Sequence, residues 1–375
     1  AHNESPFWPW DGPFFFDFST LWDMYKTQLP LVLSLFPHEG AAIVNAMLTV
    51  VEMEGNFPIG YRLARGYDRF SHQASALGHV VIADAFHRRL PGIDWERALT
   101  LMSKDLGREY GEAFFQDGVV HPLTHTLDLA YGCFCTAAIA TETGDTTVAA
   151  QMLEYASQWK NAFDKTGLLR DSTYYEGSKY NYSFRLLHDM ASRISLAGGD
   201  TAFVDLLDTF FGYAADSVPA PGVSPCRAEM AEGELLGRFE GFNNEPDMES
   251  PYAYIYAGRH DRACEVIRAG LTQCYGDSRG GLVGNDDSGG MSSWYVWSAL
   301  GLFPVAGQDV FLIGSPLFER VEVQFGPKQA FTIETSAGGA ESPYIQSVLL
   351  DGEPFKKPYL CWRDLCSGGT LSVKM

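Results

Sequence analysis

Residues 124–144, THTLDLAYGCFCTAAIATETG, and residues 146–164, TTVAAQMLEYASQWKNAFD, decide the fold of this chain. In both, apolar side chains recur at three- and four-residue spacing, the period of a helix with one buried face. Gly144-Asp145 lies between them. A glycine stops the first helix, and Asp145 offers its carboxylate to the free N–H groups that start the second. Two helices joined this way form an antiparallel hairpin.

The same period continues outward. It runs through 20–36 (TLWDMYKTQLPLVLSLF), 39–54, 71–89 and 94–111 on one side, and 183–198, 200–213, 247–259, 260–276 and 290–303 on the other. Its stops are turn-forming clusters such as Glu54-Gly55-Asn56-Phe57-Pro58, and Asp94 is a second N-cap candidate, before WERALTLM. This makes about eleven or twelve helices, joined alternately by short turns and long glycine-rich loops. Hairpins of that kind bury their apolar stripes by closing into a double ring, an (α/α)6 toroid of about twelve helices. A helical solenoid has a similar helix content, but no sequence repeat is visible, which favours the closed ring.

After Val305 the texture changes. Residues 310–314 (VFLIG), 320–325 (RVEVQF), 330–335 (AFTIET), 344–350 (YIQSVLL) and 370–374 (TLSVK) are short, β-rich and alternating. The expectation is therefore a mainly α protein, with a helical domain over 1–305 and a small C-terminal antiparallel β segment over 306–375 packed on it.

Composition narrows the function. A net charge of −20 argues against nucleic acid, whose phosphates demand a basic surface, and no apolar run is long enough for a membrane span. Aromatics at 14% suit sugar stacking and a large helical core equally well. Ala1 to Asp11 lacks the basic start and apolar core of a signal peptide, so it reads as an internal cut or a mature end. The seven cysteines contain no CxxC pair, so neither zinc nor a disulfide framework is signalled. Cys133 and Cys135 read as buried thiols, while Cys361 and Cys366 are close enough in sequence to bridge. Asn3 and Asn181 head weak glycosylation triplets.

Four stretches carry candidate chemistry. In Gly284-Asn285-Asp286-Asp287-Ser288-Gly289-Gly290, two carboxylates sit in a glycine-rich loop before an apolar helix. Capping and the helix dipole account for one aspartate and less well for the second. In Tyr174-Tyr175-Glu176-Gly177-Ser178-Lys179-Tyr180-Asn181-Tyr182, a lone glutamate stands among four tyrosines. A poorly solvated setting raises a carboxyl pKa toward that of a general acid, although an aromatic rim with an incidental carboxylate has the same composition. The loop Phe239–Tyr252 holds Asn243, Asn244, Glu245, Asp247 and Glu249, hard oxygen donors of the kind Ca²⁺ takes, or simply a solvated acidic loop. Finally, Trp22, Asp23 and Lys26 on one helix form either a sugar platform or a core Trp with an exposed ion pair. His72, His79 and His87 are spaced too widely for one metal and read as surface or core-edge residues.

Taken together and in this order, these segments resemble glycoside hydrolase family 92, the calcium-dependent inverting exo-α-mannosidases. The resemblance runs from Trp22-Asp23 and Pro30-Leu31 through Glu176 and Asn244-Glu245-Pro246. It continues into GNDDSGGMSSWYVWSALGLFPV at 284–305, the most specific stretch, then IGSPLFERV, YIQSVLLDG and GGTLSVKM. It implies removal of terminal α-linked mannose with inversion, with Glu176 as general acid and Asp287 as general base. Trp22, Asp23, Lys26, Asn285 and Asp286 would contact substrate, and Asn244 and Glu245 would lie at the Ca²⁺. Two departures stand out: Asn285 occupies a position where many relatives carry an acid, and Lys26 replaces an arginine whose bidentate fork it cannot reproduce. The resemblance also implies a secreted or periplasmic setting. The family's N-terminal β-sandwich is absent from the sequence, so a separate sandwich domain or a second copy is the expected partner beside the glycoside. A phosphorolytic enzyme would need a basic pocket where 240–250 and 284–290 are acidic. A mannoside-binding remnant without hydrolysis is the remaining alternative.

Overall fold

The computed structural model describes residues 18, 20–58, 60, 73–108, 110–170, 178–213, 239, 242, 244–326, 329–336 and 342–375. They fall into two compact units, one of residues 1–162 with 306–308, the other of residues 163–305 with 309–375.

The first unit is helical. Its central element is the Leu123–Thr143 helix, expected over 124–144, buried along most of its length and packed on Leu77–His87, Trp95–Leu106 and Thr146–Ala156. The hairpin forms as the sequence implies. Gly144 closes the first helix at φ 88°, a left-handed conformation that costs glycine nothing. Asp145 accepts from the Val148 N–H at 3.0 Å, and Asp94 caps its helix through Arg97 N–H at 3.0 Å. Each such cap stabilises its helix by about 1 kcal/mol.

Several predicted helices are divided. The 20–36 stretch becomes Leu21–Met24 and Gln28–Leu35, separated by a turn. Pro30 explains the restart: its ring would clash with the carbonyl four residues back, so it is accommodated in a first turn. Residues 94–111 likewise end at Leu106, before Gly107, and a second helix runs over Tyr110–Asp117.

The core of this unit contains a buried ion pair. Asp84 and Arg88 form an ion pair at 2.9 Å, each side chain 1% exposed. Arg88 also donates to Ser34 Oγ at 2.9 Å, and the Gly307 N–H donates to Asp84 at 2.9 Å. Burial pushes the Asp84 carboxyl up, opposed by Arg88 and the Gly307 N–H. Arg88→Met should therefore destabilise by about 3–5 kcal/mol, because it strands a buried carboxylate. Its folded-state pKa then rises further above the unfolded value, so the loss grows as pH rises. Urea denaturation at pH 5 and pH 8 checks this, and an equal loss at both would rule it out.

His79 departs from the surface or core-edge reading. It is fully buried, donates from Nε2 to the Met102 carbonyl at 2.9 Å, and burial lowers its pKa. His87 is half-buried, and His72 lies outside the described residues.

The second unit joins short helices to two sheets. Among the described residues its helices include Lys179–Ser183, Met190–Leu196, Asp200–Phe210, Ser250–Tyr256, His260–Ala269, Gly290–Leu300 and Trp362–Cys366. The segment 183–198, read as one helix, is helical only over Met190–Leu196, while Ser183 ends the preceding Lys179–Ser183 helix. β1 (Leu302–Pro304), β2 (Phe311–Ile313) and β7 (Tyr359–Leu360) form an antiparallel sheet. The second sheet has the order β3-β4-β8-β5-β6, from Arg320–Val323, Phe331–Ser336, Gly369–Lys374, Ser347–Leu350 and Glu353–Pro354. Its ladders are antiparallel except between β4 and β8, which run parallel after a long crossover. Alternation places Leu371 and Val373 of β8 inside. Trp297, Phe311, Phe325 and Trp362 stack between the Gly290–Leu300 helix and the strands.

Cys133 and Cys135 are buried as expected, and burial pushes the Cys133 thiol up. Cys361 and Cys366 are free thiols rather than a bridge. No helix among the described residues is long and apolar enough to cross a membrane.

Candidate active site

The loop before the Gly290–Leu300 helix separates its two aspartates. Asp286 is the capping residue: its Oδ1 accepts from Ser292 N–H at 2.9 Å and Ser292 Oγ at 2.8 Å, six residues on. Its carbonyl takes the Met291 N–H and that of Asp287 takes the Gly290 N–H. Asp287, Ser288 and Gly289 then have φ of 46°, 58° and 90° in succession. Left-handed backbone at two consecutive non-glycine residues is strained, and such strain clusters at functional sites. It turns the half-buried Asp287 out of the capping role. Burial holds the Asp287 carboxyl above the usual range, and the charges of Asp286 and Glu245 raise it further. Asn285 is exposed on the same loop.

Glu245 reaches this neighbourhood through Trp294. The Trp294 indole N–H donates to the Met248 carbonyl at 2.9 Å, and its ring lies 4.2 Å from that of Phe242. One side chain thus ties the 242–248 loop to the helix that carries the aspartates. Gly270 makes room for it, since a Cβ there would stand 2.4 Å from Phe242 and 3.0 Å from Trp294. Tyr275 stacks on Trp294 and donates to the Met291 carbonyl at 3.1 Å.

The acidic loop is not a simply solvated one. Glu245, Asp247 and Glu249 are all buried. Asp247 accepts both contacts from the Asn181 amide, at 3.0 and 3.1 Å, and Glu249 accepts the Leu186 N–H at 2.7 Å. Two of its carboxylates therefore fasten the 178–186 segment. This also closes the Asn181 triplet to glycosylation in the folded chain, and Asn3 lies outside the described residues. Arg193, wholly buried between Phe163 and Phe203, donates to the carbonyls of Gly167 and Ser183. Glu176 lies outside the described residues, between these two anchored flanks in sequence.

In the other unit, Trp22, Asp23 and Lys26 are 7%, 0% and 4% exposed. The reading as an exposed ion pair is therefore wrong for Asp23 and Lys26. Trp22 and Asp23 lie on a single helical turn, and Lys26 follows in the turn after it, its Nζ 5.7 Å from the Tyr25 ring. Charged side chains are rarely this buried unless they are paired.

The oxygen donors Asn244 and Glu245 suit a hard cation better than zinc. Asn244 Oδ1 accepts the Glu245 N–H at 2.9 Å. Among the described residues no three His, Cys, Asp or Glu side chains converge to hold a metal. A cation at Asn244 and Glu245 would complete its shell with carbonyls, water or sugar hydroxyls. Within that limit, the residues fit Ca²⁺.

The residues missed in the sequence are Ser292, Trp294, Asn181, Asp247 and Glu249 as ties between loops. Only Ser292 had a local signal, its place in the first turn after two aspartates.

Comparison with known proteins bears on the fold and the family. An uncharacterized secreted glycosidase of Arthroderma benhamiae is 30% identical over 208 residues, covering 54% of this chain and 23% of that protein. A solved family GH92 α-mannosidase from Bacteroides thetaiotaomicron is 24% identical with a TM-score of 0.81, over 98% of this chain and 51% of that one. A solved family GH92 inverting mannosidase from the same organism is 24% identical with a TM-score of 0.82, over 97% of this chain and 54% of the other. The chain thus spans about half the length of these solved relatives. At that identity the likeness establishes the fold, the α/α toroid class with an appended sheet. The family described as the glycosyl hydrolase family 92 catalytic domain matches residues 2–375, and the chain belongs to it.

Proposed function

We propose that this chain hydrolyses terminal α-linked mannosides with inversion of configuration, Glu176 serving as general acid and Asp287 as general base. The observation that carries the reading is the division of labour in the 284–290 loop. Asp286 is held by Ser292, while Asp287 is turned away and held above the usual carboxylate range. Family membership and the solved inverting mannosidase supply the reaction class.

In this reading Asp287 removes a proton from a water on the face of the sugar opposite the leaving oxygen. Glu176 gives its proton to that oxygen. Inversion requires the two carboxyls to be about 6.5–9.5 Å apart, leaving room for the water. Asn285 and Asp286 would bind its hydroxyls. Asn244 and Glu245 would hold Ca²⁺, which when bound supplies Lewis-acid polarisation and a template for neighbouring hydroxyls.

Chelator titration tests the metal. EDTA should lower turnover of an aryl α-mannoside by about 10²-fold or more, with recovery on adding Ca²⁺ but not Mg²⁺, which demands a tighter octahedral shell. Unchanged turnover in chelator would remove calcium from the proposal. Proton NMR of the first-formed sugar tests inversion, which predicts β-mannose. Tight mannoside binding without hydrolysis, Ca²⁺ present, would favour a binding remnant.

A further inference from the structure

Asn181 and Asp247 are joined across two loops by a pair of contacts that the proposed chemistry leaves unused. Both are buried, 2% and 0% exposed. The Asn181 amide nitrogen donates to both Asp247 oxygens, at 3.1 and 3.0 Å. On its other side, Asn181 Oδ1 accepts from Ser178 N–H at 2.7 Å and Ser178 Oγ at 2.8 Å. Ser178 Oγ in turn accepts the Tyr180 N–H at 3.2 Å, completing a capping box. A single amide therefore binds the first residues of the Lys179–Ser183 helix and the turn Glu245–Asp247 together.

Sequence distance gives this tie its meaning. Ser178 follows Glu176 by two residues, and Asp247 follows Glu245 by two. A buried carboxylate is a costly way to hold two segments, since apolar side chains would do so with less desolvation. Its gain is direction, because an amide fork on a carboxylate admits one register where packed apolar groups admit several. A second contact, Leu186 N–H to Glu249 at 2.7 Å, fastens the same two segments further along. The fold therefore has support that does not pass through Asn181.

We propose that Asn181 and Asp247 are a positioning pair for proton delivery by Glu176. The proposal rests on the reading of Glu176 as general acid. Neither residue touches the reacting atoms. Their expected effect falls mainly on proton delivery, and that separates them from residues that merely support the fold.

The test compares two substrates on the full chain. Dinitrophenyl α-mannoside has a leaving group that departs without a proton, whereas methyl α-mannoside needs one. Asn181→Asp sets carboxylate against carboxylate while leaving an acceptor for Ser178. It should lower kcat on the methyl glycoside by about 10²-fold and on the dinitrophenyl glycoside only a few-fold, as expected for a displaced acid. Asp247→Asn should shift the ratio the same way by a smaller factor. The double variant Asn181→Asp/Asp247→Asn restores a donor facing an acceptor and should recover most of the loss.

Equal losses on both substrates, or a double variant no better than Asn181→Asp, would overturn the proposal. Thermal unfolding of each variant identifies any that fail to fold. If Asn181→Asp is one of them, Asp247→Asn carries the comparison, and an unchanged substrate ratio in it overturns the pair. Glu176→Ala serves as the reference. If it shows no preference between the substrates, or the unaltered chain turns over neither, the acid assignment itself fails. If it shows the preference and the pair does not, only the pair fails.

Discussion

Asp287→Ala lowers kcat on an aryl α-mannoside by about 10³-fold and leaves KM within a few-fold, the outcome expected for a general base. Water is deprotonated only as the transition state forms, so ground-state binding barely registers the loss. The pH profile of the unaltered chain carries a second signature. The base acts as carboxylate, so kcat/KM rises with pH through the pKa of Asp287. Burial and the charges of Asp286 and Glu245 place that limb above an ordinary aspartate. Asp286→Asn removes one of those charges, so it lowers the Asp287 pKa and moves the limb to lower pH. Near-normal turnover by Asp287→Ala would end the assignment. An acid limb unmoved by Asp286→Asn would show that another group titrates there.

Local signals in the sequence located most of the helices and the strands. Helical period and capping residues are read within a few positions, and Asp94 and Asp145 cap as their context implies. Breaks inside helices were harder, because Pro30 and Gly107 compete with an apolar period that continues past them. The parallel pairing of β4 with β8 could not be read at all, since partners depend on chain far apart. The same holds for the site. Two aspartates in a glycine-rich loop are a local signal, and the structure divides them into a cap and a strained, half-buried carboxylate. By contrast, Asn181 and Asp247 are 66 residues apart, and Trp294 and Met248 are 46 apart. Each alone looks like an ordinary loop or core residue. The burial of Asp23 and Lys26 was equally hidden, because one helical turn has too few residues to define an inward face.

Glu176→Gln is expected to have the other large effect, a fall of about 10²–10⁴-fold on a glycoside with a poor leaving group. The amide keeps the size of the side chain and its acceptor oxygen, so KM should hold, but it has no acidic proton to give. Loss should therefore scale with how much the leaving oxygen needs that proton, and be slight for a dinitrophenyl glycoside. The acid acts in its protonated form, so the unaltered chain loses activity as pH rises through the Glu176 pKa. The variant should lose that alkaline limb while keeping the acid limb set by Asp287. This pairing of limbs makes the two assignments separable. Asp287→Ala removes one side of the bell and Glu176→Gln the other, and exchange of those outcomes would reverse the roles. A retained alkaline limb in Glu176→Gln would mean that another group donates the proton. Tyr175, next to Glu176 in sequence, would then be the first residue to replace.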